Sequence, residues 1–244
     1  MIFFDIDGTL VDHKGAEHAA ALAFQRDHAE VFPELPDAFS ARWHTIAEKH
    51  IRRHFAGELT FQGQRRARLH ELFAHHRRLT DTEADELCQA YLQRYEENWR
   101  LYPDTMPCLN HFTGHNLGII SNGKSSQQNK KLHQLGIADR FSTIVISGDV
   151  GIAKPAAGIF AAACAKAGRD PDECVYIGDD FESDVEGGMQ AGLHTVWLNR
   201  KKQPKPSGAV TVATLAELDE VIESHNNEVH SISESRANAS SRNE

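Results

Sequence analysis

The sequence predicts an α/β protein with a Rossmann-like parallel sheet core and an inserted α-helical domain. Two observations support this fold class. After residue 101, short apolar and β-branched runs alternate with helix-length segments, which is typical of parallel strands joined by crossover helices. Between the N-terminal run MIFF and this alternating region lies a long stretch whose apolar residues recur at helical spacing.

The first predicted strand is MIFF, because a continuous apolar run suits a strand that is buried on both faces. From about residue 16 to 99 the pattern is helical instead. One helix is predicted to follow the capping candidate Asp37 and to stop near Gly57, and its apolar face comprises Phe39, Trp43, Ile46 and Ile51. Another is predicted to follow Thr80, and its apolar face comprises Ala84, Leu87, Tyr91, Tyr95 and Trp99.

Four further strands are predicted in the second half of the chain, namely LGIIS (117–121), TIVIS (143–147), CVYIG (174–178) and HTVWLN (194–199). Segments such as SSQQNKKLHQLG supply the helices between them. The last twenty residues are polar and almost free of large apolar side chains, so we expect them to be disordered. The predicted domains are a core of residues 1–12 and 101–224, a helical domain of residues 13–100, and a tail of residues 225–244.

Composition limits the classes of function. The chain has 244 residues and a formal net charge of -9, which argues against a nucleic-acid polymer or an anionic membrane as partner. Its four cysteines lack C-x-x-C spacing and fit reduced thiols. No apolar run is long enough for a membrane span, and the N-terminus lacks the pattern of a signal peptide. We therefore expect a cytoplasmic protein, whose oligomeric state stays open.

Polar residues follow each predicted strand. In open parallel sheets, ligands bind beyond the carboxyl ends of the strands. We expect one edge of the sheet to gather the residues that leave the strands, which are Asp5, Asp7, Gly8, Thr9, Ser121, Asn122, Gly123, Lys154, Pro155, Asp179, Asp180 and Asp184.

These residues predict a magnesium and phosphate site. Neighbouring carboxylates repel by a few kcal/mol per pair at an effective dielectric constant of about 20, so they take up protons or hold a cation. An all-oxygen set suits Mg²⁺, which a substrate phosphate can complete. The Ser121 hydroxyl and nearby backbone N–H groups can bind phosphate oxygens, and Lys154 can neutralise their charge. Since no His, Cys or Ser here has an adjacent base, an aspartate is the candidate nucleophile.

Four segments resemble the motifs of the haloacid dehalogenase-like hydrolase superfamily, in the same order. They are DIDGTLVD from Asp5, the Ser121-Asn122-Gly123 turn, GIAKPAAGIF around Lys154, and GDDFESD from Gly178. The resemblance covers residues 1–12 and about 101–224. The helical segment at 13–100 resembles the cap that members of this superfamily carry after the first motif, which implies that the cap selects the substrate while the core performs the chemistry.

The resemblance implies specific roles. Asp5 would be the nucleophile that forms an aspartyl phosphate, and also a Mg²⁺ ligand. Asp7 would protonate the leaving alcohol and then activate water, a contribution of about 10²- to 10⁴-fold. The backbone carbonyl of Asp7 and the side chain of Asp179 would complete the metal ligands. Asp184 would support the water shell of the metal or orient Lys154, with Asp180 as the alternative supporting acid.

The expected phosphate-binding residues are Asp5, Ser121, Asn122 and Lys154. Asp7 favours a phosphatase over a dehalogenase, because displacing halide requires no acid for the leaving group. The region from LGIISNG to HTVWLN resembles bacterial pyrimidine-nucleotide 5'-phosphatases, which implies a nucleoside 5'-monophosphate as substrate. It also resembles phosphoglycolate-phosphatase-type members. A phosphoglycolate or sugar phosphatase and a phosphomutase are therefore the alternatives.

Two other classes of protein share part of this pattern. GIISNGKS at 118–125 matches the P-loop pattern G-x-x-x-x-G-K-[ST], but its first residues belong to a predicted strand and leave too little loop to surround phosphates. A receiver-like signalling module would also combine aspartates, a hydroxyl and a lysine around Mg²⁺. The Asp5/Asp7 pair and the helical insert argue against it.

The helical domain concentrates His and Arg in HIRRHF (50–55), QRRARLHELF (64–73) and HHRR (75–78). These side chains could attract anionic substrates. A solvated helix face is the favoured interpretation, since charge runs usually have this role.

Overall fold

The computed structural model describes residues 1–204 and 206–222. They contain a six-stranded sheet in which all neighbouring strands are parallel. Its strands are β1 (Ile2–Phe4), β2 (Leu117–Ser121), β3 (Thr143–Ile146), β4 (Val175–Gly178), β5 (His194–Leu198) and β6 (Thr211–Val212). The predicted α/β class with a parallel sheet is confirmed. The tail predicted for residues 225–244 lies outside the described residues.

The strand order is β3-β2-β1-β4-β5-β6, so β1 lies inside the sheet between β2 and β4. Phe4 is in register with Ile119 on one neighbour and with Ile177 on the other. Since neighbouring parallel strands end at the same edge, the residues that follow β1, β2 and β4 are brought together there.

The four later strands predicted from apolar runs agree with β2 to β5 to within one residue at each end. The sequence did not predict β6, which is only two residues long. A run of that length carries no measurable periodicity, and β6 forms only because β5 supplies hydrogen-bonding partners along its edge.

Helices of the sheet unit cover both faces of the sheet, and the strand residues alternate between two apolar clusters. Phe4, Ile119 and Ile177 belong to one cluster, and Phe3, Ile120 and Tyr176 belong to the other. The helices of this unit are α5 (Thr105–His111), α6 (Ser125–Gln134), α7 (Ser147–Val150), α8 (Ala157–Ala167) and α9 (Gly187–Gln190), and a π-helical segment spans Phe181–Glu186.

The chain divides into two compact units. The sheet unit contains Met1–Asp12 and the chain from Leu101 onward, and the helical unit is His13–Arg100. The helical unit consists of α1 (His13–Asp27), α2 (Pro36–Phe55), α3 (Phe61–Phe73) and α4 (Asp81–Glu97). Across the described residues, none of the helices combines the length and the apolar character that a membrane crossing requires.

Aromatic side chains form the core of the helical unit. The rings of Trp43 and Tyr91 lie 4.5 Å apart, and the ring of Phe24 lies 6.2 Å from that of Trp43. Ile51 is only half-buried, because His50 takes the next position on the buried face of α2. Trp99 is buried as expected, but it follows the end of α4.

Candidate active site

Three carboxylates meet at the carboxyl edge of the sheet. Asp5 follows β1, Asp179 follows the adjacent β4, and Asp184 is brought back by the π-helical segment. One oxygen from each of the three lies within 4.8 Å of the others. Asp5 and Asp184 are buried, with 5% and 1% of their surface exposed. The short segment from Asp179 to Asp184 thus delivers two acids to one centre.

Lys154 is the cation of this cluster. Its ammonium Nζ donates to Asp5 Oδ1 at 2.7 Å, to Asp184 Oδ1 at 2.6 Å and to Tyr176 Oη at 2.7 Å. Burial by itself would lower the pKa of Lys154, but the charges of Asp184 and Asp5 outweigh it and raise that pKa. Lys154 therefore stays charged and holds two of the three acids in fixed positions.

Lys154 by itself does not offset the burial of Asp179 and Asp5. Burial raises the pKa of Asp179 to about 8, and the nearby charges of Asp5 and Asp184 add to this effect. Burial also raises the pKa of Asp5 to about 6, against the opposing influence of Lys154. A bound cation would relieve this repulsion, since it favours the ionised carboxylates.

The donor set fits Mg²⁺, a hard cation that prefers oxygen ligands and keeps several waters. Asp5 and Asp179 are the residues that would hold it. Asp184 is less available, because its Oδ1 accepts from Lys154 and its Oδ2 accepts from the backbone N–H of Asp180 at 3.0 Å. Asp184 thus contacts Lys154, and whether its role is to orient Lys154 or to support the water shell of the metal stays a prediction.

Gly8 allows the chain to pass close to Asp179. Its φ of 92° lies in the left-handed region, and a Cβ at this position would lie 2.4 Å from the Asp179 carboxylate. Any side chain there would displace an acid of the cluster. On the other side, Trp197 Nε1 donates to the Asp179 carbonyl at 3.1 Å and fixes the backbone of that residue.

Asp180 stands outside the cluster. Its exposed carboxylate accepts from the backbone N–H of Ser183 at 2.8 Å and so caps the π-helical segment. Asp184 thus contacts Lys154, whereas the Asp180 side chain caps the π-helical segment. The choice of Asp184 as the supporting acid stays a prediction.

Asn122 links the second and third predicted motifs. Its Oδ1 accepts from the Lys154 backbone N–H at 2.8 Å, and its Nδ2 donates to the Lys154 carbonyl at 3.1 Å. This side chain therefore fixes the loop that carries Lys154, and direct binding of phosphate by Asn122 stays a prediction. Ser121 ends β2 and is 1% exposed.

The side chain of Asp7 turns to different partners. Its Oδ1 accepts from Lys131 Nζ at 2.5 Å, and its Oδ2 accepts from Gln128 Nε2 at 2.8 Å. Both donors lie on α6, the helix that follows β2. Asp7 and Asp5 therefore contact different cationic side chains, Lys131 and Lys154, although only one residue lies between them.

Some contacts to the side chains of the site come from residues that were not predicted from the sequence, namely Gln128, Lys131 and Tyr176. A signal exists for each. Gln128 and Lys131 occupy the same face of α6 as the buried Leu132, where an apolar residue is expected. Tyr176 lies in a fully buried strand, where a hydroxyl needs a partner. Its Oη lies 2.9 Å from Asp184 Oδ1 and 3.0 Å from the Ile120 carbonyl, and its single proton serves one of them.

Comparison with known proteins agrees with this geometry. A family model described as haloacid dehalogenase-like hydrolase matches residues 1–192. The chain belongs to this family. The resemblance inferred from the four motifs is thereby confirmed, and the protein is a member of a hydrolase family.

Curated relatives of this haloacid dehalogenase-like hydrolase include phosphatases. It is 37% identical over 150 residues to the pyrimidine 5'-nucleotidase YjjG of Escherichia coli. This matched stretch covers 59% of this chain and 67% of YjjG. The chain is 34% identical over 140 residues to a phosphoserine phosphatase of Thermus thermophilus, which covers 57% of this chain and 56% of that relative. The matched stretches thus span two thirds and just over half of these relatives.

A solved structure resembles the hydrolase over most of its length. It is the HAD-hydrolase YfnB of Bacillus subtilis bound to magnesium, with a TM-score of 0.79 and 26% identity. The alignment covers 91% of this chain and 97% of YfnB.

The P-loop pattern of the hydrolase does not form a P-loop. Gly118 to Ser121 are part of β2, and α6 begins at Ser125. Only three residues remain between strand and helix, too few to wrap a chain of phosphates.

Basic residues of the helical unit pair with the acids of the same unit. Arg66 contacts Asp81 at 2.8 Å and Asp85 at 2.6 Å, and Arg53 contacts Glu58 at 2.8 Å. The exposed fraction of each of these side chains is 33% or more. These exposed pairs fit the interpretation of this surface as a solvated helix face.

Proposed function

We propose that the protein is a Mg²⁺-dependent phosphatase that hydrolyses small phosphate monoesters through an aspartyl-phosphate intermediate. The observation that carries this proposal is the buried contact of Asp5 with Lys154 beside Asp179, at the edge where parallel sheets bind ligands. A nucleotidase and a phosphoserine phosphatase among the relatives support the same class of reaction.

In the first step, a carboxylate oxygen of Asp5 attacks phosphorus, and the bond from phosphorus to the ester oxygen breaks. Asp7 gives a proton to the departing alcohol. Lys154 and the Ser121 hydroxyl stabilise the negative charge on the transferring group. A Mg²⁺ held by Asp5 and Asp179, and by the Asp7 carbonyl as the resemblance implies, would supply further charge neutralisation.

In the second step, Asp7 removes a proton from water, and the water oxygen attacks the phosphorus of the aspartyl phosphate. The bond between phosphorus and the Asp5 oxygen breaks, so Asp5 and inorganic phosphate are released. Two displacements replace one difficult displacement, which is the benefit of covalent catalysis.

The proposed substrate is a nucleoside 5'-monophosphate. The 37% identity to a pyrimidine 5'-nucleotidase supports this choice. The partner is thus a small molecule, and its phosphate supplies the anion that Lys154 and the proposed cation attract. A cytoplasmic location is part of the proposal, and the four buried, free cysteines are consistent with a reducing compartment.

The test is phosphate release from nucleoside monophosphates, phosphoserine, phosphoglycolate and sugar phosphates, each with Mg²⁺ and with EDTA. We expect Mg²⁺-dependent release that is fastest for a nucleoside monophosphate. Asp5→Asn should lower the rate by roughly 10⁴-fold or more, because it removes the nucleophile while keeping the shape.

Asp139→Asn is the matched control, since Asp139 is an exposed aspartate of the same unit. Its rate should equal that of the wild type. Turnover by a folded Asp5→Asn protein would reject the nucleophile. Preference for another ester would reassign the substrate, and transfer of phosphate between positions of a bisphosphorylated sugar would indicate a phosphomutase.

A further inference from the structure

We propose that Lys131 and Gln128 are positioning residues that hold the carboxylate of Asp7 in the orientation needed for its proton transfers. This inference rests on the proposed function, in which Asp7 is the acid and the base. It concerns two residues of α6 that none of the four sequence motifs contains.

The two side chains hold both oxygens of one carboxylate. Lys131 Nζ reaches Oδ1 at 2.5 Å, and Gln128 Nε2 reaches Oδ2 at 2.8 Å. Residues three apart on a helix lie on the same face, so α6 presents both donors together. With one donor on each oxygen, rotation of the Asp7 side chain about its last torsion angle breaks at least one hydrogen bond.

Burial makes Lys131 an unusual choice at this position. Its side chain is 1% exposed, and its neighbour Leu132 is fully buried in the apolar core. Burying an ammonium group is costly, and replacing a buried ion pair with apolar residues often leaves stability unchanged or higher. The Lys131–Asp7 pair is therefore poorly explained as a stabilising device and well explained as a means of fixing Asp7.

Gln128 connects Asp7 to the loop proposed to bind phosphate. The same Nε2 lies 3.2 Å from Ser121 Oγ and 3.0 Å from the Asn122 carbonyl. Its two hydrogens are thus shared among acceptors from the first and second motifs. Gln128 thereby sets the position of the acid relative to the Ser121 hydroxyl.

Orientation of Asp7 matters because a general acid must lie within hydrogen-bonding distance of the oxygen that it protonates. A misplacement of about 1 Å can cost about 10²-fold in rate. The cost should depend on the leaving group. An alkoxide leaves slowly without a proton, whereas p-nitrophenolate leaves readily without one.

The experiment compares Lys131→Met and Gln128→Leu with the wild type on two esters, the preferred alkyl phosphate and p-nitrophenyl phosphate. These substitutions remove the donors and keep approximately the same volume. The readout is kcat/KM, which reports the transfer of phosphate to Asp5, the step in which the acid acts. Lys130→Met is the matched control, since Lys130 is the adjacent lysine of α6 and is exposed.

We expect Lys131→Met to lower kcat/KM by about 10²-fold for the alkyl phosphate and by much less for p-nitrophenyl phosphate. Gln128→Leu should show the same selectivity with a smaller loss. Lys130→Met should match the wild type on both esters. Equal losses on both esters would overturn the proposal, and so would an unchanged or increased rate.

A double variant tests whether Lys131 acts through Asp7. In an Asp7→Asn background, Lys131→Met should cause no further loss, because the group that it positions is absent. An additional full loss would overturn the proposal. If Lys131→Met does not fold, Gln128→Leu and its double variant with Asp7→Asn decide the matter by the same criteria.

Failure of the proposed function has a different signature. In that case the wild type would release no phosphate from any ester, or Asp7→Asn itself would show no dependence on the leaving group. Failure of the present inference alone would leave both of those properties intact and would affect only the α6 variants.

Discussion

At the carboxyl edge of the sheet, the side chains of Lys154 and Asp184 are 4% and 2% exposed, whereas in the helical unit those of Arg66 and Asp81 are 35% and 65% exposed. Both pairs have short contacts between nitrogen and oxygen. Exposed pairs contribute little to stability because water competes for them, but a buried charge without its partner is strongly destabilising. The difference separates buried charges that depend on their partners from exposed charges that form a solvated surface.

Lys154→Met should have the largest effect, because it leaves Asp5 and Asp184 buried without their ammonium partner. We expect phosphatase activity to fall by about 10³-fold. In EDTA, the free energy of unfolding should fall by about 3 kcal/mol. Rate assays and chemical denaturation measure the two effects. Lys130→Met again serves as control, and equal stability of the two variants would contradict the comparison.

Asp179 should give the metal-free protein a stability that decreases as the pH rises. The fold raises the pKa of this acid from 3.8 to about 8, so the folded state binds the proton more tightly than the unfolded chain does. This contribution is complete below pH 3.8, decreases as the pH rises from 3.8 to about 8, and is lost above that, with a slope of at most about 1.4 kcal/mol per pH unit in between.

Asp179→Asn should remove that slope. The measurement is the free energy of unfolding in EDTA from pH 5 to 9, for the variant, the wild type and the exposed control Asp139→Asn. Identical profiles for Asp179→Asn and the wild type would show that this carboxylate is not desolvated in the folded protein.

His50 should give a smaller effect of opposite sign. It is 3% exposed, and burial lowers its pKa although the Glu71 carboxylate at 2.8 Å opposes the shift. Its contribution to stability is therefore present above the ordinary pKa of about 6.5 and is lost as the pH falls. His50→Gln should flatten the decline of stability below pH 6.5. The exposed His75 offers the control His75→Gln, which should leave the decline unchanged.

Arg66→Met should have the smallest effect on stability, because water competes with Arg66 for its acidic partners Asp81 and Asp85. We expect a denaturation midpoint close to that of the wild type, and the difference between the two midpoints should change little with salt concentration. A loss of stability similar to that of Lys154→Met would eliminate the distinction between the two regions.

The sequence predicted most of the sheet and the residues at its edge. Apolar runs identify β2 to β5 because strands buried on both faces leave a continuous local signal. The short acidic segments after β1 and β4 are equally local. β6 was not predicted, because it forms by pairing with the edge of β5 and its own two residues carry no signal.

The hydrogen-bonding partners of the acids were harder to predict from the sequence. Asp7 meets Lys131 across 124 positions and Lys154 meets Asp5 across 149 positions, and no local period encodes such pairings. In the sequence, Lys131 looks like an ordinary solvated lysine of a helix. Its burial becomes evident only when the packing of α6 is known. A polar residue beside Leu132 on that face was the available signal.

The sequence by itself determined which elements form and which chemical groups stand at their ends, because hydrophobic periodicity and turn chemistry act over a few neighbouring residues. Only the tertiary structure decided that Asp184 joins Asp5 and Asp179 while Asp180 caps the π-helical segment, and that the Asp7 side chain turns to α6. Strand order and register bring distant segments together, and burial then sets their charges. These effects depend on packing across the whole sheet, which single segments do not specify.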